Sequence, residues 1–253
     1  MEGLKDQAPK GAEPPRRLHV IGAGTMGADI ATWGVLSGLE VSLQDLSETA
    51  LAGALDRAKK AFRRRYRRKS EVDAAVARLI ADAKGEHVGR ADVVIEAIVE
   101  KLEVKQSVFK GLEGRLKPGA VMATNTSSIP LEEIARPLGD PGRLIGIHFF
   151  NPVALMPLVE IVRGAQSRQS EVDKAATFVT AIGKLPLIVK SAPGFLVNRV
   201  LAPYLQEAMS RLDAGEKRDV IDEAAKVFGM PMGPLELADT VGLDICAHVA
   251  ETL

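Results

Sequence analysis

From Leu18 onward the chain alternates short apolar runs with amphipathic stretches. LHVIGAG reads as a strand entering a turn, Met26 to Ser37 as a helix, VSLQD as a second strand, and the polar stretch from Ser47 as a long helix. DVVIEAIV, a helix over Val104 to Leu116, AVMATN, a short helix after Pro130, LIGIHFF, LVEIV, a helix from Ser170 that Gly183 ends, and LPLIV continue the pattern. Strands alternating with helices predict βαβ units and a parallel sheet. After SAPG the period changes. Phe195 to Leu212, Lys217 to Phe228 and Leu235 to Leu253 all read as helices, with turn signals at Asp213 to Gly215 and Gly229 to Pro234. Residues 1–16 hold prolines, mixed charge and no periodicity, which predicts a flexible tail or linker. The organisation expected is therefore a tail over 1–16, a sheet domain over 17–190 and a helical domain over 191–253. The last is short for an independent helical domain, and its final apolar helix meets no Gly or Pro terminator, so a truncated domain is expected.

Composition narrows the class. With 253 residues, 46% hydrophobic and 26% charged, the chain is ordinary for a globular protein with a real core. Lys+Arg and Asp+Glu both number 33, so no basic footprint for nucleic acid exists. One Trp, two Tyr and seven Phe are too few for base-stacking platforms. Cys246 is alone and His19, His87, His148 and His248 are scattered, which argues against a disulfide framework and a zinc site; no metal is expected. The most apolar stretch, Leu144 to Val162, is broken by His148, Asn151, Pro152, Pro157 and Glu160, and is no membrane span. Met1 to Arg16 lacks the apolar core of a signal peptide, so a cytoplasmic location is expected.

Candidate chemistry starts at Gly22-Ala-Gly24-Thr25-Met26-Gly27, directly after LHVI and opening a helix. In that position the first two glycines permit a tight turn and close approach of backbone to a pyrophosphate, and the third lets helix and sheet pack. Asp45, at the end of the next strand, is placed to accept hydrogen bonds from an adenosine ribose and would repel a 2′-phosphate. The pattern therefore predicts NAD rather than NADP. A plain glycine turn with a helix-capping aspartate is the alternative.

Two further groups follow strands: Glu96 to Glu100 with Lys105 after DVVI, and Thr124 to Ser128 after AVMA. Both fall at carboxyl ends of strands, the rim where open α/β sheets hold ligands. Glu100 and Lys105 would equally suit a solvated helix start with a surface ion pair. Of Ser127 and Ser128, one is available to cap the helix near Pro130 while the other faces ligand. His148 in RLIGIHFFNP and Glu160 in PLVEIV each sit in an apolar run, where burial is costly unless the two satisfy each other. Paired, the carboxylate would occupy one imidazole nitrogen and favour the imidazolium, leaving the other nitrogen as general base. From spacing alone, a purely structural core pair fits as well.

Taken together, GAGTMGADIA, ADVVIEAIVE, TNTSSIP, GIHFFNPVALMPLVEIV, PGFLVNR and GMPMGPLELADTVGLD resemble the 3-hydroxyacyl-CoA dehydrogenase family, most nearly the dehydrogenase part of the multifunctional alpha subunit of the fatty-acid β-oxidation complex. The likeness runs from Arg17 to Leu253. It implies an α/β fold, a Rossmann-type parallel-sheet domain followed by a partial all-helical domain, and an NAD-dependent oxidation of (S)-3-hydroxyacyl-CoA to 3-ketoacyl-CoA. By the same likeness His148 is the base, Glu160 its partner, and Ser127 and Asn198 contact substrate. Gly22, Gly24, Thr25, Met26, Gly27, Asp45, Glu100, Lys105, Ser127 and Asn151 face NAD. Asn198 has the alternative of a helix cap or packing residue. The run Arg63 to Lys69 reads as a solvated helix face. Relatives hold the CoA phosphates on this helix, which makes Arg68 the candidate contact. The likeness also implies an acyl-CoA substrate and self-association, or docking on neighbouring domains of a multifunctional complex. A 3-hydroxybutyryl-CoA dehydrogenase and a non-catalytic NAD-binding fragment are the rival readings.

Overall fold

The computed structural model describes residues 7–9, 11–243 and 246. The chain divides into two compact units, Met1–Ser191 and Ala192–Leu253. In the first, the elements run β1 (Arg17–Ile21), α1 (Thr25–Leu36), β2 (Glu40–Gln44), α2 (Glu48–Arg65), α3 (Lys69–Ala77), β3 (Leu79–Ala81), β4 (Val93–Glu96), α4 (Leu102–Leu112), β5 (Val121–Thr124), α5 (Leu131–Ala135), β6 (Leu144–Phe149), β7 (Leu158–Arg163), α6 (Gln169–Ala181) and β8 (Leu185–Lys190).

The strands form one eight-stranded sheet in the order β3-β2-β1-β4-β5-β6-β7-β8. The order reverses between β1 and β4, so the loops leaving these neighbouring strands diverge and open a crevice at their carboxyl ends. Strands β1, β2, β4 and β5 are buried nearly throughout, as a parallel sheet covered on both faces demands. Helix α1 lies flat on the sheet because its inward face is small or branched: Ala28, Ile30, Ala31 and Val35 are all buried. The core joins them to Leu18, Val20, Val41, Leu43, Val93 and Ile95 of the central strands.

The sheet is Rossmann-like and mostly parallel, with one local reversal. β6 and β7 pair antiparallel, and β8 runs parallel to β7. The connection from Phe150 to Pro157 is shorter than the dozen or so residues that a parallel crossover needs, so the chain turns back beside β6. Two features differ from the pattern reading. The polar stretch from Ser47 is two helices, not one: α2 ends after Arg63, Arg64 and Arg65, and Tyr66 adopts an extended conformation. Three cations in the last turn suit the negative end of the helix dipole, and Tyr66 packs against the core, so the chain leaves the helix there. The basic run is thus a helix end and a turn rather than one solvated helix face. Strand β3, three residues long, is too short for its alternation to register in the sequence.

The second unit holds α7 (Val197–Asp213), α8 (Arg218–Phe228) and α9 (Pro234–Val241). Its small core is Ala208, Ile221 and Leu235. Asp222 is buried, and its carboxylate accepts the Leu235 N–H at 2.8 Å, capping the start of α9. The helix expected over Leu235 to Leu253 is interrupted after Val241, where Gly242 has φ 103°, a conformation a helix cannot continue through; Leu243 and Cys246 are helical again, and the Cys246 N–H donates to the Gly242 carbonyl at 3.0 Å. Beyond Gly242, only Leu243 and Cys246 of that expected helix are among the described residues, and residues 1–6 and 10 of the expected tail lie outside them.

Candidate active site

The loop after β1 meets the loop after β4 at the crevice. Gly22 has φ 108°, and a Cβ there would lie 2.4 Å from the Ala97 carbonyl oxygen; one on Gly27 would lie 1.8 Å from that of Gly22. Only glycine allows either approach. At Gly24 a Cβ would meet nothing within 4 Å, so the loop leaves open space above the first turn of α1. That helix start carries no side-chain cap and no acid in its first turn, which leaves the N–H groups of Thr25, Met26 and Gly27 and the positive end of the helix dipole for an anion. Asp45 fixes the loop from the side: its Oδ2 accepts the Ala23 N–H at 2.7 Å and its Oδ1 the Ser47 N–H at 2.8 Å. The helix cap of α2 is Ser47, whose hydroxyl accepts from Ala50. A diphosphate cradle with an adjoining carboxylate is the donor and acceptor set that NAD requires.

Beside this crevice lies a buried polar network. Glu96, at the end of β4, is fully buried; Lys105 on α4 is 1% exposed. The Lys105 Nζ donates to Glu96 Oε1 at 2.7 Å and stands 3.1 Å from Glu100 Oε2. Glu96 also accepts from the Ile98 N–H at 2.8 Å and from the Thr124 hydroxyl at 2.7 Å. Glu100 accepts from the Thr126 hydroxyl, the Ser127 N–H at 3.1 Å and the Ser128 hydroxyl at 3.2 Å. Burial pushes the Glu100 pKa up, but the Lys105 charge and these hydrogen bonds outweigh it and hold the group below its ordinary range. The surface ion pair considered from the sequence is therefore excluded: the lysine is interior. The network binds the end of β4 to the TNTSS turn after β5, which puts Ser127, half-buried, on the rim.

Neither serine of that turn caps α5. The Leu131 N–H is accepted by the Ser191 hydroxyl at 3.0 Å, which itself donates to Glu132 at 2.7 Å. Asn125, between the two groups, accepts the Phe149 N–H at 2.9 Å and so ties the β5 turn to the end of β6. The sequence groups Asn125, Thr126 and Ser128 with the polar run that directly follows an apolar strand, but it gives no individual role to Asn125 or Thr126.

His148 and Glu160 are direct partners across the β6–β7 ladder. The antiparallel register explains their meeting: residues opposite each other project to the same face. His148 Nδ1 lies 2.8 Å from Glu160 Oε2, with Glu160 fully buried and His148 nearly so. An ionised carboxylate only accepts, so Nδ1 carries the proton and Nε2 is the acceptor nitrogen of the neutral ring. The Phe150 ring meets the imidazole edge-on at 4.6 Å between centroids, which limits its rotation.

Asn151 is exposed at the start of the loop after β6, three residues past His148. Arg68 lies outside this rim, just before α3; its side chain is 81% exposed, 3.8 Å from Glu71, and Glu71 accepts its backbone N–H. Asn198 lies in the first turn of α7, in the second unit.

The family model for the NAD binding domain of 3-hydroxyacyl-CoA dehydrogenase matches residues 17–192, and the one for the C-terminal domain of the same enzymes matches residues 194–253. Fold and family matches define an NAD-dependent oxidoreductase. The chain belongs to the 3-hydroxyacyl-CoA dehydrogenase family. Among solved structures, FadB2 of M. tuberculosis is 34% identical with a TM-score of 0.90, covering 95% of this chain and 87% of its own. The 3-hydroxybutyryl-CoA dehydrogenase of Escherichia coli K12 is 38% identical with a TM-score of 0.87, over 93% of this chain and 51% of its own. The dehydrogenase part of multifunctional enzyme 1 from C. elegans is 28% identical with a TM-score of 0.70, over 95% of this chain and 57% of its own. No helix among the described residues is long and apolar enough to cross a membrane.

Proposed function

We propose that the chain oxidises (S)-3-hydroxyacyl-CoA to 3-ketoacyl-CoA, reversibly, as a step of fatty-acid β-oxidation. The observation that carries this is the buried His148–Glu160 pair across β6 and β7, with His148 one residue before the end of β6. Bound NAD would supply the acceptor for the hydride leaving C3. His148 Nε2 takes the proton of the 3-hydroxyl as the carbonyl forms, and Glu160 holds the ring and balances the imidazolium. Ser127 orients the reacting oxygen, Asn151 and the Glu100–Lys105 pair hold the nicotinamide side, and Arg68 meets a CoA phosphate; Asn198 is a further substrate contact by family likeness. The reverse reaction needs the same groups: imidazolium returns the proton as hydride reaches the ketone. Following NADH absorbance with acetoacetyl-CoA tests the assignment, and no oxidation of NADH would refute it.

A second reading, a short-chain enzyme acting on 3-hydroxybutyryl-CoA, is favoured by the likeness to the 3-hydroxybutyryl-CoA dehydrogenases of E. coli and Ralstonia eutropha. Turnover against acyl length separates the two: activity confined to four-carbon substrates selects the second.

Two expected results belong to this reading. Asp45→Ala should weaken NAD and narrow the preference over NADP, because the ribose acceptor is lost and a 2′-phosphate is no longer repelled. Titration of both cofactors checks it, and equal affinities in the unmodified protein would contradict the role of Asp45. The second concerns assembly. Val200, Val220, Val227 and Phe228 expose apolar side chains on α7 and α8, the last two at 80% and 88%. Such a surface is expected to be covered by self-association through the helical unit or by neighbouring domains of a larger assembly. Sedimentation showing a monodisperse monomer that Phe228→Asp leaves unchanged would exclude self-association.

A further inference from the structure

The connection between β6 and β7 joins the two halves of the dyad, and most of it faces solvent. Of Asn151 to Pro157 only Val153 is buried, and Leu155 is 77% exposed, so apolar packing does little to hold this segment. Its own hydrogen bonds are a single turn, in which Leu155 and Met156 both donate to the Pro152 carbonyl. From outside, the Leu185 N–H donates to the Pro157 carbonyl at its far end at 2.8 Å, and the interior of the segment is held by Lys184. This lysine precedes β8, is 4% exposed, and donates from Nζ to the carbonyls of Val153 and, at 2.7 Å, Met156. The same ammonium stands 4.0 Å over the centroid of the Trp33 indole, which is anchored by its own donation to the Ile182 carbonyl at 3.0 Å. Trp33 belongs to α1, the helix whose first turn forms the diphosphate cradle.

We propose that Lys184 is a positioning residue that clamps the Asn151–Pro157 segment to the cofactor-binding helix. It rests on the reading of that segment, through Asn151, as part of the nicotinamide side of the site. An ammonium buried without a carboxylate would be a poor way only to fill space, because an apolar chain of the same length would avoid its desolvation. Burial alone lowers the Lys184 pKa, and no nearby charge offsets that. Carbonyl oxygens of an irregular loop, in contrast, need a donor with several hydrogens, and the indole face stabilises the cation that provides them. The clamp sets where the loop lies relative to α1 before any ligand arrives, which is preorganisation of the site.

The test uses Lys184→Met, which keeps the chain length without charge or donors, Lys184→Gln, which keeps one donor group, and Lys184→Arg, which keeps the cation. NADH affinity is titrated through the emission of Trp33, the single tryptophan of the chain, alongside thermal melting and kcat and KM with acetoacetyl-CoA. The expected result is a rise in the NADH dissociation constant of roughly tenfold for Met and Gln, altered Trp33 emission in the unliganded protein, and recovery in Arg. A lower melting temperature with NADH affinity unchanged in both uncharged variants would overturn the proposal, since the lysine would then only support the fold. If Met does not fold, Gln decides. Asn151→Ala separates the two levels of the argument. Should it leave NADH affinity unchanged, the segment is not part of the cofactor site and the proposal falls with that reading. Should it weaken NADH while the Lys184 variants do not, the proposal alone is overturned.

Discussion

His148→Gln is expected to lower kcat with acetoacetyl-CoA by roughly 10²–10⁴-fold, the usual contribution of a positioned acid–base group, and to leave NADH affinity close to that of the unmodified protein. Glutamine is close to histidine in size and keeps an amide donor for Glu160, so the buried carboxylate is not stranded and the β6–β7 ladder is not disturbed. It cannot carry a proton between substrate and solvent near neutral pH. Because the loss falls on proton transfer alone, kcat and kcat/KM should fall together. Glu160→Gln should also reduce turnover, by a different route: the ring loses its charged partner, so its orientation and the stability of the imidazolium both decline. Its amide still presents an oxygen to Nδ1–H, so the effect should be smaller than that at His148. Steady-state kinetics with a parallel NADH titration measures both. Normal turnover in His148→Gln would place the base elsewhere.

Much of this site was legible in the sequence because it follows strands. A parallel sheet sends every polar run that directly succeeds an apolar one to the same rim, which is why the glycine loop, Glu96 to Glu100 and Thr124 to Ser128 could be grouped before any geometry was known. The His148–Glu160 contact needed one more fact, the antiparallel register, and the short connection between the two runs allowed that without requiring it. Other features left no local signal. The depth of Lys105 depends on α4 lying against the ends of β4 and β5, and a lysine four residues into a helix reads equally well as surface. Ser191 and Lys184 act on segments far from them in the chain, Leu131 and the Val153–Met156 carbonyls respectively, so no window of sequence contains both partners. Tyr66 broke the expected long helix because it packs against the core, and packing is not part of a periodicity count. The cap of α5 came from the strand end at Ser191 for the same reason.

The largest effect on stability is expected at that interior lysine. Lys105→Met keeps the length and apolar stem of the side chain but removes the only cation found between Glu96 and Glu100 among the described residues. Breaking a buried ion pair by deleting one partner costs about 3–5 kcal/mol, since the other charge stays buried without compensation. For a chain of this size each kcal/mol shifts the melting temperature by about 2–4 °C, so the loss should be plain in a thermal scan. NADH binding should fall with it, because Glu100 and the Thr126–Ser128 turn lose their common anchor. Acid should act oppositely on the two proteins. In the unmodified chain the folded-state pKa of Glu100 is lowered, so its stabilising contribution is complete above the unfolded carboxylate pKa and is lost as pH falls through the folded one. Without Lys105, burial and mutual repulsion dominate, and a proton taken up by either carboxylate relieves the penalty; the gap between variant and parent should therefore narrow as pH falls from neutral towards the carboxylate range. Glu96→Gln added to Lys105→Met should recover part of the loss, because one of the two stranded charges is gone. Denaturant unfolding of parent, single and double variants at neutral and mildly acidic pH measures all three expectations. A single variant that unfolds like its parent at both would show that water or a neighbouring donor compensates these carboxylates, and that Lys105 does not hold the network together.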